Sequence, residues 1–140
     1  MADYLYIITP VIALIALYLV WLKVIAPRFA GVEKLSMSEY KVKVSRQPHV
    51  ILDVRSEREF EVAHTPRAKH MPVEEVAKSN REAMQEIIKE RSVVCICASG
   101  SRSMMAATVI ARMGFSPVYS IAGGMGAWQS AGMTVRRSKR

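Results

Sequence analysis

Two regimes of apolar patterning divide this chain. Tyr4 to Leu22 contains no charged residue, whereas from Ser36 onward short apolar runs are separated by polar stretches carrying helix and turn signals. His49–Val54 is apolar and β-branched and reads as a buried parallel strand. Val93-Val94-Cys95-Ile96 and Pro117–Ile121 read the same way, and Lys69–Met71 is a shorter candidate. Helix signals fill the intervals. Ser36-Met37-Ser38-Glu39 has the spacing of a capping box and opens a helix to about Ser45, ended by Gln47-Pro48. Ser56-Glu57-Arg58-Glu59 repeats that spacing and opens a short helix. Ser79-Asn80 caps a helix over Arg81–Lys89, with Met84, Ile87 and Ile88 on its apolar face. Ser103–Met113 has helical spacing and stops at Gly114; Gly123-Gly124 is a turn, and Gly126–Ala131 a last short helix. Strands alternating with helices predict an α/β fold with a mostly parallel sheet flanked by helices.

Composition narrows the class. The 140 residues divide into an apolar segment 1–26, a linker 27–33, a domain 34–136 and a basic tail 137–140. A core of about 105 residues buries enough apolar surface to fold without disulfides or a metal. The two cysteines, Cys95 and Cys97, lie two apart on one predicted strand and are poor disulfide partners. With so few cysteines and histidines, no structural zinc is expected, and no motif calls for a cofactor. The net charge is +8, and because Asp3 and Lys23 cancel in residues 1–26, the excess lies downstream, ending in Arg136-Arg137-Ser138-Lys139-Arg140. Without a nucleic-acid motif, this surface reads as a solvated face near anionic lipid, and no nucleic-acid partner is expected.

Residues 4–22 read as one transmembrane helix, since nineteen residues of helix span roughly 28 Å. Tyr4 and Tyr6 at one end, and Tyr18 and Trp21 at the other, are placed as interfacial aromatics, and Lys23 can snorkel. A signal peptide would want a basic start, and this one carries Asp3. Lys23, Arg28 and Lys34 follow the span and no Lys or Arg precedes it. The positive-inside rule therefore puts the domain on the cytoplasmic side, where a free thiol stays reduced.

Candidate chemistry concentrates in Cys97-Ala98-Ser99-Gly100-Ser101-Arg102-Ser103, between a predicted strand and a predicted helix. A strand, a small-residue loop and a helix place a site at the carboxyl edge of a parallel sheet. Backbone N–H groups of Ala98–Ser103 can point back at the Cys97 sulfur and, with the helix dipole, favour a thiolate. Gly100 permits a positive φ or close backbone approach. Arg102 has two open readings: it binds an anionic donor or lowers the thiol pKa, or it turns inward to pair with Asp53. Asp53 and Arg55 are candidate supports of the loop. Ser99, Ser101 and Ser103 are candidate hydrogen-bond donors to a substrate, or helix caps. Cys95 and Trp128 read as core.

This loop resembles the active loop of the single-domain rhodaneses, the sulfurtransferases. Ile51-Leu52-Asp53-Val54-Arg55, Glu59-Phe60 through His64-Thr65-Pro66 with Met71-Pro72, and Gly123-Gly124-Met125-Gly126-Ala127-Trp128 resemble further family segments in the right order. The resemblance covers residues 34–136 and implies a rhodanese-like fold, here preceded by a membrane anchor. It implies that Cys97 carries sulfane sulfur as a persulfide, from a donor such as thiosulfate or a persulfide to an acceptor thiol, cyanide or protein, by a two-step relay. It also implies a structural role for His64. Four residues separate Cys97 from Arg102; the related phosphatase and arsenate-reductase loops have five. Ala63 and Arg67 stand where the family usually has glycine, and each costs stability if its φ is positive.

Overall fold

The computed structural model describes residues 2–21, 31–90 and 92–138. It divides into two units, residues 1–30 and 31–140.

The first unit holds helix α1, Ala2–Val20. Its large side chains are exposed, Tyr6 at 80%, Ile7 at 67% and Leu17 at 67%. Among the described residues no helix is long and apolar enough to cross a membrane. The transmembrane helix expected over Tyr4–Leu22 thus has no support in the structure. Leu22–Ala26, the rest of the expected anchor, lie outside the described residues.

The second unit is a five-stranded, all-parallel sheet. Its strands are β1 (Val32–Leu35), β2 (His49–Asp53), β3 (Lys69–His70), β4 (Ser92–Ile96) and β5 (Val118–Ile121), in the order β1-β5-β4-β2-β3. β4 is central and buried at every position, which is why Ser92–Ile96 is continuous in apolar character. Its alternation sorts the core into two halves. Val93, Cys95 and Cys97 face one side with Leu52, Met84, Ala106, Ala107 and Ile110. Val94 and Ile96 face the other with Leu35, Tyr40, Val44, Met125 and Trp128.

Helices cover both faces. α2 begins at Met37–Glu39 and runs into a π-helical turn, Tyr40–Val44; α3 is Glu57–Val62. Both open with complete capping boxes, from Ser36 to Glu39 and from Ser56 to Glu59. α4 is Val73–Lys78, α5 is Arg81–Ile87 capped by Asn80, α6 is Ser101–Arg112 and α7 is Gly124–Ser130. Two elements depart from the sequence reading. Val32–Leu35 pairs with β5 as an edge strand, beginning inside the stretch read as linker. α4 was not expected at all.

Candidate active site

Cys97 follows β4 directly, and Gly100, three residues on, sits at φ 109°. That left-handed turn swings the Gly100 N–H back onto the Cys97 sulfur at 3.0 Å. A side chain there would press on Gly123 N and Ile121 O, each 3.3 Å from an added Cβ. α6 starts at the next residue, so its first turn also faces the sulfur.

The Ser103 hydroxyl lies 3.5 Å from Cys97 Sγ and donates to the Gly100 carbonyl at 3.0 Å. It also meets the Ser120 hydroxyl at 2.8 Å. Cys97, Ser103 and Ser120 are all fully buried. Burial raises the Cys97 pKa, but hydrogen bonding by the Ser103 hydroxyl and by the N–H groups of Ser103, Gly100 and Ser99 outweighs it, so the thiol lies below its ordinary value. Two residues away, Cys95 has no such donors, and burial, reinforced by the Cys97 charge, pushes its pKa up to about 12. Its core reading holds, and the two thiols on one strand differ because only one reaches the loop.

The loop is held from behind by α7. Met125 N–H donates to the Cys97 carbonyl at 2.7 Å and Gly126 N–H to the Ala98 carbonyl at 3.4 Å. Gly124, at φ 53°, makes this approach possible, because a Cβ there would collide with the Cys97 and Ala98 carbonyls. Sequence reasoning marked Gly123-Gly124 as a turn and missed its role as the backstop of the loop.

Of the two expected parts of Arg102, the structure contradicts the pairing with Asp53. The Arg102 guanidinium forms a fork on Glu59, with both N–H···O distances 2.8 Å. Pairing with Asp53 is corrected, because Asp53 already holds Arg55 through contacts of 2.9, 3.1 and 2.6 Å. Both members of that pair are buried, and Arg55 also donates to the Ala63 carbonyl at 2.6 Å. Asp53 and Arg55 therefore support the backbone leading out of β2 and do not touch Arg102.

Glu59 is the partner of Arg102 that the sequence did not reveal. The Arg102 fork holds its carboxyl down at about 2, with further help from Ser56. Its capping-box spacing was legible, and that structural role hid the second one.

Ala98, Ser99 and Ser101 are exposed. Neither Ser101 nor Ser103 caps α6, since Gly100 is the N-cap without a side-chain bond. His64 pairs its Nδ1 with the Phe60 carbonyl at 2.8 Å and stacks on the Phe60 ring at 4.0 Å, a structural role. Trp128 is buried and donates to the Thr134 carbonyl at 2.9 Å. A cavity of about 570 Å³ lined by Tyr40, His49, Arg67 and Trp128 does not include Cys97.

The family model for the rhodanese-like domain matches residues 36–131. Over 100 residues the chain is 35% identical to the adenylyltransferase and sulfurtransferase MOCS3 of Drosophila persimilis, covering 69% of this chain and 22% of that protein. It is also 35% identical over 100 residues to the putative sulfur carrier protein YrkF of Bacillus subtilis, covering 71% and 52%. The chain thus spans about half or less of the length of these relatives. Among solved structures, a Rhodopseudomonas palustris protein described as a possible tyrosine phosphatase is 29% identical with a TM-score of 0.62, covering 79% of this chain and 91% of that one. A rhodanese-related protein of Thermoplasma volcanium shares the fold at 21% identity and a TM-score of 0.61, covering 74% and 97%. A thiol ringed by backbone amides after the central strand, closed from behind by a Gly-Gly helix start, agrees with the family match: the chain belongs to the rhodanese-like domain family.

Proposed function

We propose that the chain is a sulfurtransferase. Cys97, as thiolate, takes sulfane sulfur from a donor such as thiosulfate or a persulfide, holds it as a persulfide, and yields it to a thiol, cyanide or protein acceptor. The observation that carries this is the cradle itself: the Gly100 N–H at 3.0 Å and the Ser103 hydroxyl at 3.5 Å favour an anion on sulfur. The family's sulfur-transfer relatives support it. Phosphoryl transfer fits less well, because Arg102 is turned to Glu59 and leaves the cradle without a guanidinium for a tetrahedral oxyanion.

Intact mass measurement after incubation with a sulfur donor tests the reading. The reduced chain gains one sulfur atom and Cys97→Ser gains none. A second reading, a rhodanese-like binding module of low turnover, draws on the full burial of Cys97. It predicts that a reduced chain gains no sulfur from any donor, and that outcome would replace the enzymatic reading.

We also propose that the chain works at a membrane through residues 4–22, with its domain on the cytoplasmic side. The charge-free stretch Tyr4–Leu22, the basic residues after it and the exposed apolar side chains of α1 support this.

A further inference from the structure

From the charges around the sulfur we infer that this site loads from a persulfide, which reacts through its protonated and therefore uncharged outer sulfur, and discriminates against a dianionic donor such as thiosulfate, because Glu59 cancels Arg102. The inference rests on the proposed sulfur transfer and narrows its donor.

The Glu59–Arg102 fork is about one-third exposed on each side, 36% and 34%, and Arg102 lies within electrostatic reach of the Cys97 sulfur. Both guanidinium ends are committed to the carboxylate at 2.8 Å. A carboxylate so strongly held remains charged throughout the neutral range. Besides Glu59, the charges acting on Arg102 are the Cys97 sulfur and Glu74, both negative. Glu74 sits in the first turn of α4. Arg55 is buried and already neutralised by Asp53. The groups that steady the Cys97 sulfur are hydroxyl and N–H dipoles. Dipoles can hold one negative charge on sulfur, but they do not offset two more arriving with a donor.

The two loading steps differ in the charge they bring. With a persulfide R–S–S–H, the thiolate attacks the outer sulfur and a Cys97 S–S bond forms. The donor S–S bond breaks, its electron pair leaves with R–S⁻, and the proton stays on the transferred sulfur. One negative charge enters the step and one leaves it. With thiosulfate, the same attack on the outer sulfur forms the Cys97 S–S bond and expels sulfite, and two additional negative charges arrive beside the thiolate, where Arg102 is already neutralised by Glu59. Neither step needs an oxidant or reductant.

The test measures single-turnover sulfur loading of the reduced full-length chain by intact mass, with cysteine persulfide and with thiosulfate as probes. The informative quantity is the ratio of the two rate constants, because persulfides and thiosulfate differ in intrinsic reactivity. Glu59→Gln frees the Arg102 charge and shifts the ratio toward thiosulfate about tenfold. Glu74→Gln, on an exposed helix turn outside the capping box, shifts it the same way by about two- to threefold, and guards against a folding defect in the first variant. A ratio unmoved by both substitutions overturns the inference while leaving sulfur transfer intact. Failure of both donors to load Cys97 overturns the sulfurtransferase reading and this inference with it.

Discussion

At the scale of single residues, Cys97 combines a lowered pKa with complete burial. These act in opposite directions on reactivity, since ionisation supplies the nucleophile and enclosure withholds it. Alkylation of Cys97 by a small reagent is therefore expected to reach half its maximal rate below the pH of an ordinary thiol, while its plateau rate falls under that of a free thiolate. A midpoint at the free-cysteine value would remove the cradle from the explanation. Ser103→Ala, which removes the hydroxyl 3.5 Å from the sulfur, raises that midpoint. The two family glycines replaced here part company. Ala63 sits at φ −163°, extended backbone open to any residue, so its substitution is free of strain. Arg67 sits at φ 62°, a left-handed conformation that costs a side chain about 1 kcal/mol. Arg67→Gly is expected to stabilise the domain by up to about 1 kcal/mol in urea unfolding, less what glycine's extra freedom in the unfolded chain removes. Sequence identified both positions; only the backbone angles separate them.

At the scale of elements, α3 and α6 are tied by Glu59 and Arg102, and that tie titrates. The carboxyl has an ordinary value of 4.5 and is held at about 2 when folded. Its stabilisation is thus complete above pH 4.5 and is lost as pH falls toward 2. Solvent screening of this partly exposed pair limits it to about 1 kcal/mol. Thermal melts of the native chain and Glu59→Gln should differ by a constant amount near neutrality and converge in acid; a gap that widens in acid contradicts the assignment. α7 bears on the loop differently, by backbone contact. Gly124→Ala pushes a methyl into the Cys97 and Ala98 carbonyls at a positive φ, and should cost about 2 kcal/mol together with most sulfur loading. The central elements were legible because their signals are local: a continuous apolar run for β4, capping boxes for α2 and α3, small residues for the loop. β1 was not, because Val-Glu-Lys-Leu is four residues long and becomes a strand only by pairing with β5. α4 was hidden by its start at Pro72, which offers no side-chain cap, and by its six-residue length. The Arg102 partner was hidden for a related reason, since 43 residues separate it from Glu59 and several carboxylates lie in that interval.

At the scale of the whole molecule, both halves of the core draw their described residues from Val32 onward. The sheet, the capping boxes and the cradle are all complete within residues 31–138. A chain beginning at Gly31 is therefore expected to melt within a few degrees of the full-length protein and to load sulfur on Cys97 at the same rate. If removal of residues 1–30 instead unfolded the domain, α1 would have a packing role that these core clusters do not contain. The same pair of proteins separates catalysis from location. Bulky apolar side chains exposed along α1, such as Ile7, Leu14 and Leu17, are costly in water at about 25 cal/mol per Å² of apolar surface. Burial in lipid removes that cost, so the full chain should float with vesicles on a density gradient while the truncated chain stays in the aqueous fraction. Recovery of the full chain in the aqueous fraction, monomeric and without detergent, would refute the membrane proposal and leave the chemistry of Cys97 untouched.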